Sequence, residues 1–359
     1  IIMNVDNLLD QGAFGCVYYP GLKCDGTFSK ETKKISKLQK DGIESENEYK
    51  ISNILKKNVK NHNLYFSIIT SKCKIKIKEI KEDLTTCNIY EKLKNRNVDD
   101  FTLMEQSYIN HQKIISYFIK LNVSSDNKFI IELITGYKHL CQGVDSLINN
   151  NVVHYDLHSS NIIFDLNRQI PIIIDFGLSI NFNEIKDITE SNVNNLSKYF
   201  YIHAPSQTSW CYEIHILNYL LNKTNILTKE SLKTLLDEIT NSNVALKELF
   251  SPFFLNKYKK LLYNYYEKYV NKNKVYVIKE LLKSHYYWDI FSISLIFLRI
   301  IHLSYNKKHL NDPIYKMFVM ILFDNIHPNP YKRSTPIKTV NRLITDYDNS
   351  ISQSNLKFM

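Results

Sequence analysis

Apolar and polar positions alternate through residues 1–40, with turn signals at Pro20-Gly21 and Asp25-Gly26, so this stretch predicts a β-hairpin and a following strand. From Glu44 to Lys57 the period changes to that of a helix, with Tyr49, Ile51, Ile54 and Leu55 on one face. Strand-like runs follow at Leu64–Thr70 and Phe101–Glu105. From about Ile131 the pattern is mostly helical, interrupted by short β runs at Ile162–Asp165 and Ile170–Asp175. Residues 227–287 carry Leu, Lys and Tyr at helical spacing, as in Leu232, Leu235, Leu236 and Ile239. No internal repeat and no Gly/Ser linker is visible. A β-rich first part followed by a helical second part predicts an α+β chain with two lobes.

The 359 residues suffice for one large two-lobed domain with a sizeable core, and 44% hydrophobic with 23% charged residues is ordinary for a globular protein. Asn, Ile, Lys and Tyr are heavy and Gly and Pro scarce at eight each, a bias toward A/T-rich codons. The net charge of +10 raises the question of nucleic acid. Its lysines are scattered singly, apart from the run Lys72 to Lys78, which favours a solvated basic surface and argues against nucleic-acid binding. The six cysteines show neither C-x-x-C nor zinc spacing, so reduced thiols in an intracellular, cytoplasmic setting are expected. No signal-peptide pattern opens the chain. The apolar run Ile290–Leu298 contains two serines and is bounded by Asp289 and Arg299, so no membrane span is expected.

Three segments carry candidate chemistry. In Leu9-Asp10-Gln11-Gly12-Ala13-Phe14-Gly15-Cys16-Val17, Gly12 and Gly15 would let the backbone approach phosphates closely, although a plain hairpin has the same composition. In His154-Tyr155-Asp156-Leu157-His158-Ser159-Ser160-Asn161, Asp156 is suited to orient a hydroxyl for attack and Asn161 to reach a divalent metal. The bland alternative is a polar loop whose Asp and Asn serve turn chemistry. Ile172-Ile173-Ile174 then leads into Asp175-Phe176-Gly177, placing a carboxylate at a strand end where a hard cation bound to phosphates needs oxygen. An acid/base carboxylate, a metal amide and a metal carboxylate on neighbouring loops form a phosphoryl-transfer set.

With these motifs the chain resembles eukaryotic-type protein kinases, from about residue 9 to about residue 340. The resemblance implies a small β-rich lobe (1–106), a larger mostly helical lobe (107–350) and a tail (351–359). It implies ATP and Mg as cofactors and a protein substrate. It makes Asp156 the catalytic base, Asn161 and Asp175 the metal ligands, and Lys37 the strand lysine that pairs with the α- and β-phosphates. Gly12, Gly15 and Val17 would cover the nucleotide. Glu48 would partner Lys37, with Glu44 as fallback. Met104 would be the gatekeeper, and the backbones of Glu105 and Ser107 would bond adenine. Glu213 would end the activation segment, with Ala204-Pro205 as a competing placement, while Asp289 would hold the catalytic loop and Arg333 would pair with Glu213.

The pattern departs from the family in several places. Asp10 stands where the first loop glycine would be. Tyr155 replaces the arginine before the catalytic aspartate, which implies activity not switched by an activation-loop phosphate. His158 replaces a lysine, as in small-molecule phosphotransferases. Between Glu213 and Asp289 lies a long connection, expected to form a helical insertion over about 214–287 with its helices from Thr228 to Lys283. Tyr263, Tyr265, Tyr266 and Tyr269 within it are expected to pack rather than to recognise a partner. The codon bias, the Tyr19-Pro20-Gly21-Leu22-Lys23-Cys24 turn and the spaced Cys73 and Cys87 resemble Ser/Thr kinases of large cytoplasmic DNA viruses, which would place the chain in host cytoplasm or virion. A Ser/Thr protein kinase is therefore expected, with a choline- or aminoglycoside-type kinase and a pseudokinase scaffold as alternatives.

Overall fold

The computed structural model describes residues 7–12, 15–94, 100–124, 126–200, 202–304, 309 and 311–356. The tip of the glycine loop, Ala13 and Phe14, and the last three residues of the expected tail lie outside these. The chain divides into two compact units, Ile1–His111 with Asp165–Ser179, and Gln112–Phe164 with Ile180–Met359.

The first unit is an antiparallel five-stranded sheet built from β1 (Leu8–Gln11), β2 (Gly15–Tyr18), β3 (Lys34–Lys40), β4 (Ser71–Lys76) and β5 (Asp100–Ser107), in the order β1-β2-β3-β5-β4. Period-2 alternation sends Cys16, Tyr18, Leu38, Ile75, Phe101 and Leu103 into one buried cluster. Lys37, between Leu38 and the buried Ser36, is in register with Val17 on one side and Met104 on the other. Helix α1 (Ile43–Asn58) buries Glu48, Ile51, Ser52 and Leu55 on one stripe. Gly15 is required by packing: a Cβ there would sit 2.5 Å from the Leu38 carbonyl oxygen of β3, whereas Gly12 faces open space.

One expectation fails here for an identifiable reason. Leu64–Thr70 forms no strand; a short 3₁₀ turn, His62–Leu64, precedes an extended connection. The strand is the lysine run that follows. In β4 Ile75 turns inward while Lys72 and Lys74 turn out to Glu46 and Asp41, an edge strand defended by charge.

The cysteine reading is also corrected. Cys16 bonds Cys87 and Cys24 bonds Cys73, at 2.05 and 2.10 Å, while Cys141 and Cys211 are free and buried. The partners lie 71 and 49 residues apart, so no local spacing betrays them. Four of the six thiols are thus oxidised, and cysteine usage no longer argues for a reducing compartment. The first bridge ties β2 to the turn before α2 (Asn88–Lys94), and the second ties the hairpin to β4.

The second unit is helical, and its helices begin earlier than the periodicity suggested. Helix α3 (Ile114–Ser124) buries Ile114, Tyr117 and Phe118 and is followed by α4 (Asp126–Asn149). After the loop residues and the segment to 211 come α5 (Tyr212–Asn222), α6 (Lys229–Ser242), α7 (Val244–Leu249), α8 (Pro252–Tyr266) and α9 (Lys274–Leu282). Then follow α10 (Trp288–Leu303), α11 (Pro313–Asn325) and α12 (Pro336–Leu356). Helix α10 is the unit's axis. The stretch His285–Leu303 is long and apolar enough to cross a membrane, but 72% of it is buried inside the unit, as a core helix should be. Its Ser294 hydroxyl lies 2.7 Å from Tyr137 Oη of α4, which also accepts from Asn325 Nδ2 at 3.0 Å. Satisfied in this way, the polar groups of the core fix the packing of three helices. Tyr266 and Tyr269 are buried and Tyr263 and Tyr265 half-buried, so the tyrosine run serves packing.

Candidate active site

In the first unit β3 and α1 bring Lys37 and Glu48 together. Lys37 Nζ donates to Glu48 Oε2 at 2.8 Å and to Asp175 Oδ1 at 3.0 Å. Glu48, and not the fallback Glu44, is therefore the partner of Lys37. Burial opposes the charge on Lys37, but the two carboxylates outweigh it and hold the ammonium above its usual range. Burial raises the Glu48 carboxyl to about 7, with Lys37 pulling down and Asp175 adding to the rise. Asp175 itself has φ 63°, the left-handed region that non-glycine residues rarely enter, a form of strain that gathers at functional sites. Its strand Ile170–Ile173 is held by Ser67 N to Ile173 O (3.0 Å) and Ile173 N to Tyr65 O (2.8 Å), and Phe66 meets Phe176 edge-on. Asn47, beside Glu48, donates its amide to the Gly177 and Ser179 carbonyls at 2.9 and 2.8 Å.

Met104 is fully buried in β5 opposite Lys37, and Ser107 ends that strand opposite Lys34. The Glu105 side chain pairs with Lys34, and its carbonyl accepts from Thr70 N at 2.8 Å and Thr70 Oγ1 at 3.0 Å. Val17 lies in register with Lys37.

In the second unit the loop from His154 is suspended from one buried carboxylate. Asp289 of α10 accepts from His154 N at 2.7 Å and from Tyr155 N at 3.2 Å. Burial raises the Asp289 carboxyl, and His154 with these two amides pulls it back. Tyr155 turns the chain at φ 69°, and Asn161 Nδ2 donates to the Asp156 carbonyl at 2.9 Å, closing the loop around Asp156. His158 Nδ1 accepts from Ser160 N at 3.2 Å, so its Nε2 carries the proton and faces Asp156 Oδ2 at 3.5 Å. Gln207 Nε2 donates to Asp156 Oδ1 at 2.9 Å. Thus one unit gathers Lys37, Glu48 and Asp175, and the other gathers Asp156 and Asn161.

A family model for protein tyrosine and serine/threonine kinases matches residues 3–204, more than half of the chain. The chain belongs to the protein tyrosine and serine/threonine kinase family. It is similar to a probable serine/threonine-protein kinase, mkcD, of Dictyostelium discoideum, at 27% identity over 146 residues, covering 32% of this chain and 22% of that protein. The chain thus spans about a fifth of the length of the curated relative it matches.

The α+β, two-lobed reading is the fold of this family, a sheet-containing first part and a larger helical second part. The family match stops before α5, and the kinase's later marks are geometric. Arg333 forms a fork on Glu213, Nη1 to Oε2 at 3.1 Å and Nη2 to Oε1 at 3.0 Å, with both side chains fully buried. Tyr266 Oη of α8 also donates to Glu213, so that helix completes the pair. Where the family's usual arginine would stand, buried Tyr155 packs on Trp210 and Phe200 and its hydroxyl exchanges hydrogen bonds with Asn218. Asn47, Asn218 and Gln207 escaped sequence reasoning because single amides carry no spacing signal.

Proposed function

We propose that the chain transfers the γ-phosphoryl group of ATP to serine or threonine hydroxyls of proteins, with Asp156 orienting the nucleophile and Lys37 holding the α- and β-phosphates. The observation that carries this is Lys37, a mostly buried ammonium fixed between two carboxylates in a strand of a kinase-family sheet. Such a cation is expensive to bury and has no apolar packing role.

Among the described residues no cluster of three His, Cys, Asp or Glu could hold a metal by itself. The donors present, the Asp175 carboxylate and the Asn161 amide oxygen, are hard oxygens that suit Mg²⁺ completed by nucleotide phosphates. When bound, the metal supplies neutralisation of phosphate charge. The protein's own work is positioning: the Asp289 anchor fixes the loop, Asn161 closes it, and Asp156 accepts the substrate hydroxyl's hydrogen bond. Gly12, Gly15, Val17, Met104, Glu105 and Ser107 are assigned to the nucleotide by the family pattern.

Serine/threonine preference is supported by the name of the Dictyostelium relative. The buried Glu213–Arg333 fork and the Asp289 anchor disfavour a choline- or aminoglycoside-type kinase. Membership of a DNA-virus group and a cytoplasmic setting rest on sequence resemblance alone. Transfer from labelled ATP to a peptide library, by wild type and by Asp156→Asn, tests the reading. A loss of about 10²–10⁴-fold is expected, and equal rates would overturn it. The labelled residue type decides serine/threonine against tyrosine.

A further inference from the structure

Gln207 is absent from every motif the chain carries, yet it makes the shortest side-chain hydrogen bond to the Asp156 carboxylate. The other two neighbours of that carboxylate, His158 Nε2 and Asn161 Nδ2, both stand at 3.5 Å from Oδ2, too far to fix it strongly. An Asp side chain held at one oxygen by a firm donor is restricted in rotation, while the other oxygen keeps lone pairs for an incoming hydroxyl.

The segment carrying Gln207 is pinned residue by residue. Gln207 N bonds Ala204 O at 3.0 Å. Thr208 O accepts from Asn243 Nδ2 at 3.0 Å, Ser209 O accepts from Ser292 Oγ of α10 at 2.7 Å, and Trp210 Nε1 donates to Tyr155 O at 2.9 Å. Ser209, Trp210 and Ser292 are buried, so the bonds made by Ser209 and Trp210 are shielded from water. Asn243 joins α6 to α7 inside the long insertion and caps α7 through Oδ1, which accepts from Leu246 N at 3.1 Å. Its amide therefore has one end in the inserted helices and the other on the residue next to Gln207.

We propose that Gln207 is the positioning residue for Asp156, and that the inserted helices serve the reaction by holding Gln207 in place through Asn243. This rests on the kinase reading above. It gives the insertion a role within the chain, a brace for the segment that faces the nucleophile-orienting carboxylate.

The test uses the full chain with labelled ATP and the best peptide from the library. Wild-type transfer and its loss in Asp156→Asn establish the kinase reading first; if either is missing, that reading fails and not this one. Gln207→Ala is then expected to lower kcat about 10–100-fold, as a loosened catalytic group does, with KM for ATP and peptide within about 2-fold. Asn243→Asp keeps the cap oxygen for α7 but removes the donor to Thr208. It is expected to lower kcat in the same direction and to add little to Gln207→Ala, since the two act as one unit. Gln207→Glu, equal in size, replaces the donor by a carboxylate and is expected to lower kcat at least as far as Gln207→Ala, again with KM little changed. Wild-type kcat in Gln207→Ala, multiplying losses in the double variant, or wild-type kcat in Gln207→Glu would each overturn the proposal. If Gln207→Ala does not fold, the kcat of Gln207→Glu, which keeps the side chain's volume, decides it.

Discussion

Lys37 and Glu48 are eleven residues apart and meet at 2.8 Å, the lysine from the middle of β3 and the glutamate from the second turn of α1. So short a connection leaves only the turn at Asp41 and Gly42 between strand and helix. The pair is therefore set by local chain geometry, and Asp175 joins it as the third charge.

The acid side of the pH dependence should report that cluster. With the Glu48 carboxyl raised to about 7, it protonates as pH falls below neutrality and releases Lys37. The rate constant kcat/KM for ATP, which reads the free enzyme, should fall below about pH 7. In Glu48→Gln the rate should be lower throughout and that limb absent. A limb that persists unchanged in the variant would mean another group titrates.

Stability should depend on His215 in the opposite range of argument. Burial, with His203 nearby, lowers its imidazole to about 3. Between about pH 6.5 and 3 the unfolded chain binds this proton and the folded chain does not, so the contribution is full above 6.5 and lost as pH falls. Urea unfolding at pH 4–7 should show a slope for wild type steeper than that of His215→Phe by up to about 1.4 kcal/mol per pH unit. Parallel slopes would refute the assignment.

The Glu213–Arg333 fork should behave as buried ion pairs do. Arg333→Met alone strands a buried carboxylate and should cost about 3–5 kcal/mol, while the double change Glu213→Gln with Arg333→Met should recover part of it. Denaturant midpoints of the two variants measure this. Equal destabilisation would show that the pair is not coupled.

The two disulfides should differ under reductant. Cys24 is exposed and Cys16 and Cys87 are fully buried, so mild dithiothreitol should open Cys24–Cys73 first. Cys24→Ser with Cys73→Ser should lower stability by about 2–4 kcal/mol under oxidising conditions. Mass spectrometry of alkylated peptides gives the order of opening, and the reverse order would count against the pairing.

The candidate segments were legible because their chemistry is contiguous: His154 to Asn161 and Asp175 to Gly177 each declare themselves within a few residues. Lys37 and Glu48 were legible through the helix and strand they sit on. What stayed hidden was carried by pairs far apart in sequence, such as Cys16 with Cys87, or by lone amides such as Gln207 and Asn47. Strand β4 was not foreseen because lysines that alternate with Cys73, Ile75 and Ile77 look like a charge block until one sees that they line the outer face of a sheet edge. Gly15 was assigned to phosphate approach, and its backbone has a separate reason in the Leu38 carbonyl.

Asn47 gears two parts of the first unit together. Its single amide holds the Gly177 and Ser179 carbonyls, while its neighbour Glu48 reaches Asp175 through the shared lysine. Helix α1 and the Asp175-Phe176-Gly177 turn are thus one mechanical piece, and neither can swing away without dragging the other. A small molecule that needs only one of them displaced would have to break both sets of bonds, so compounds that accept the geared arrangement as it stands should have the advantage.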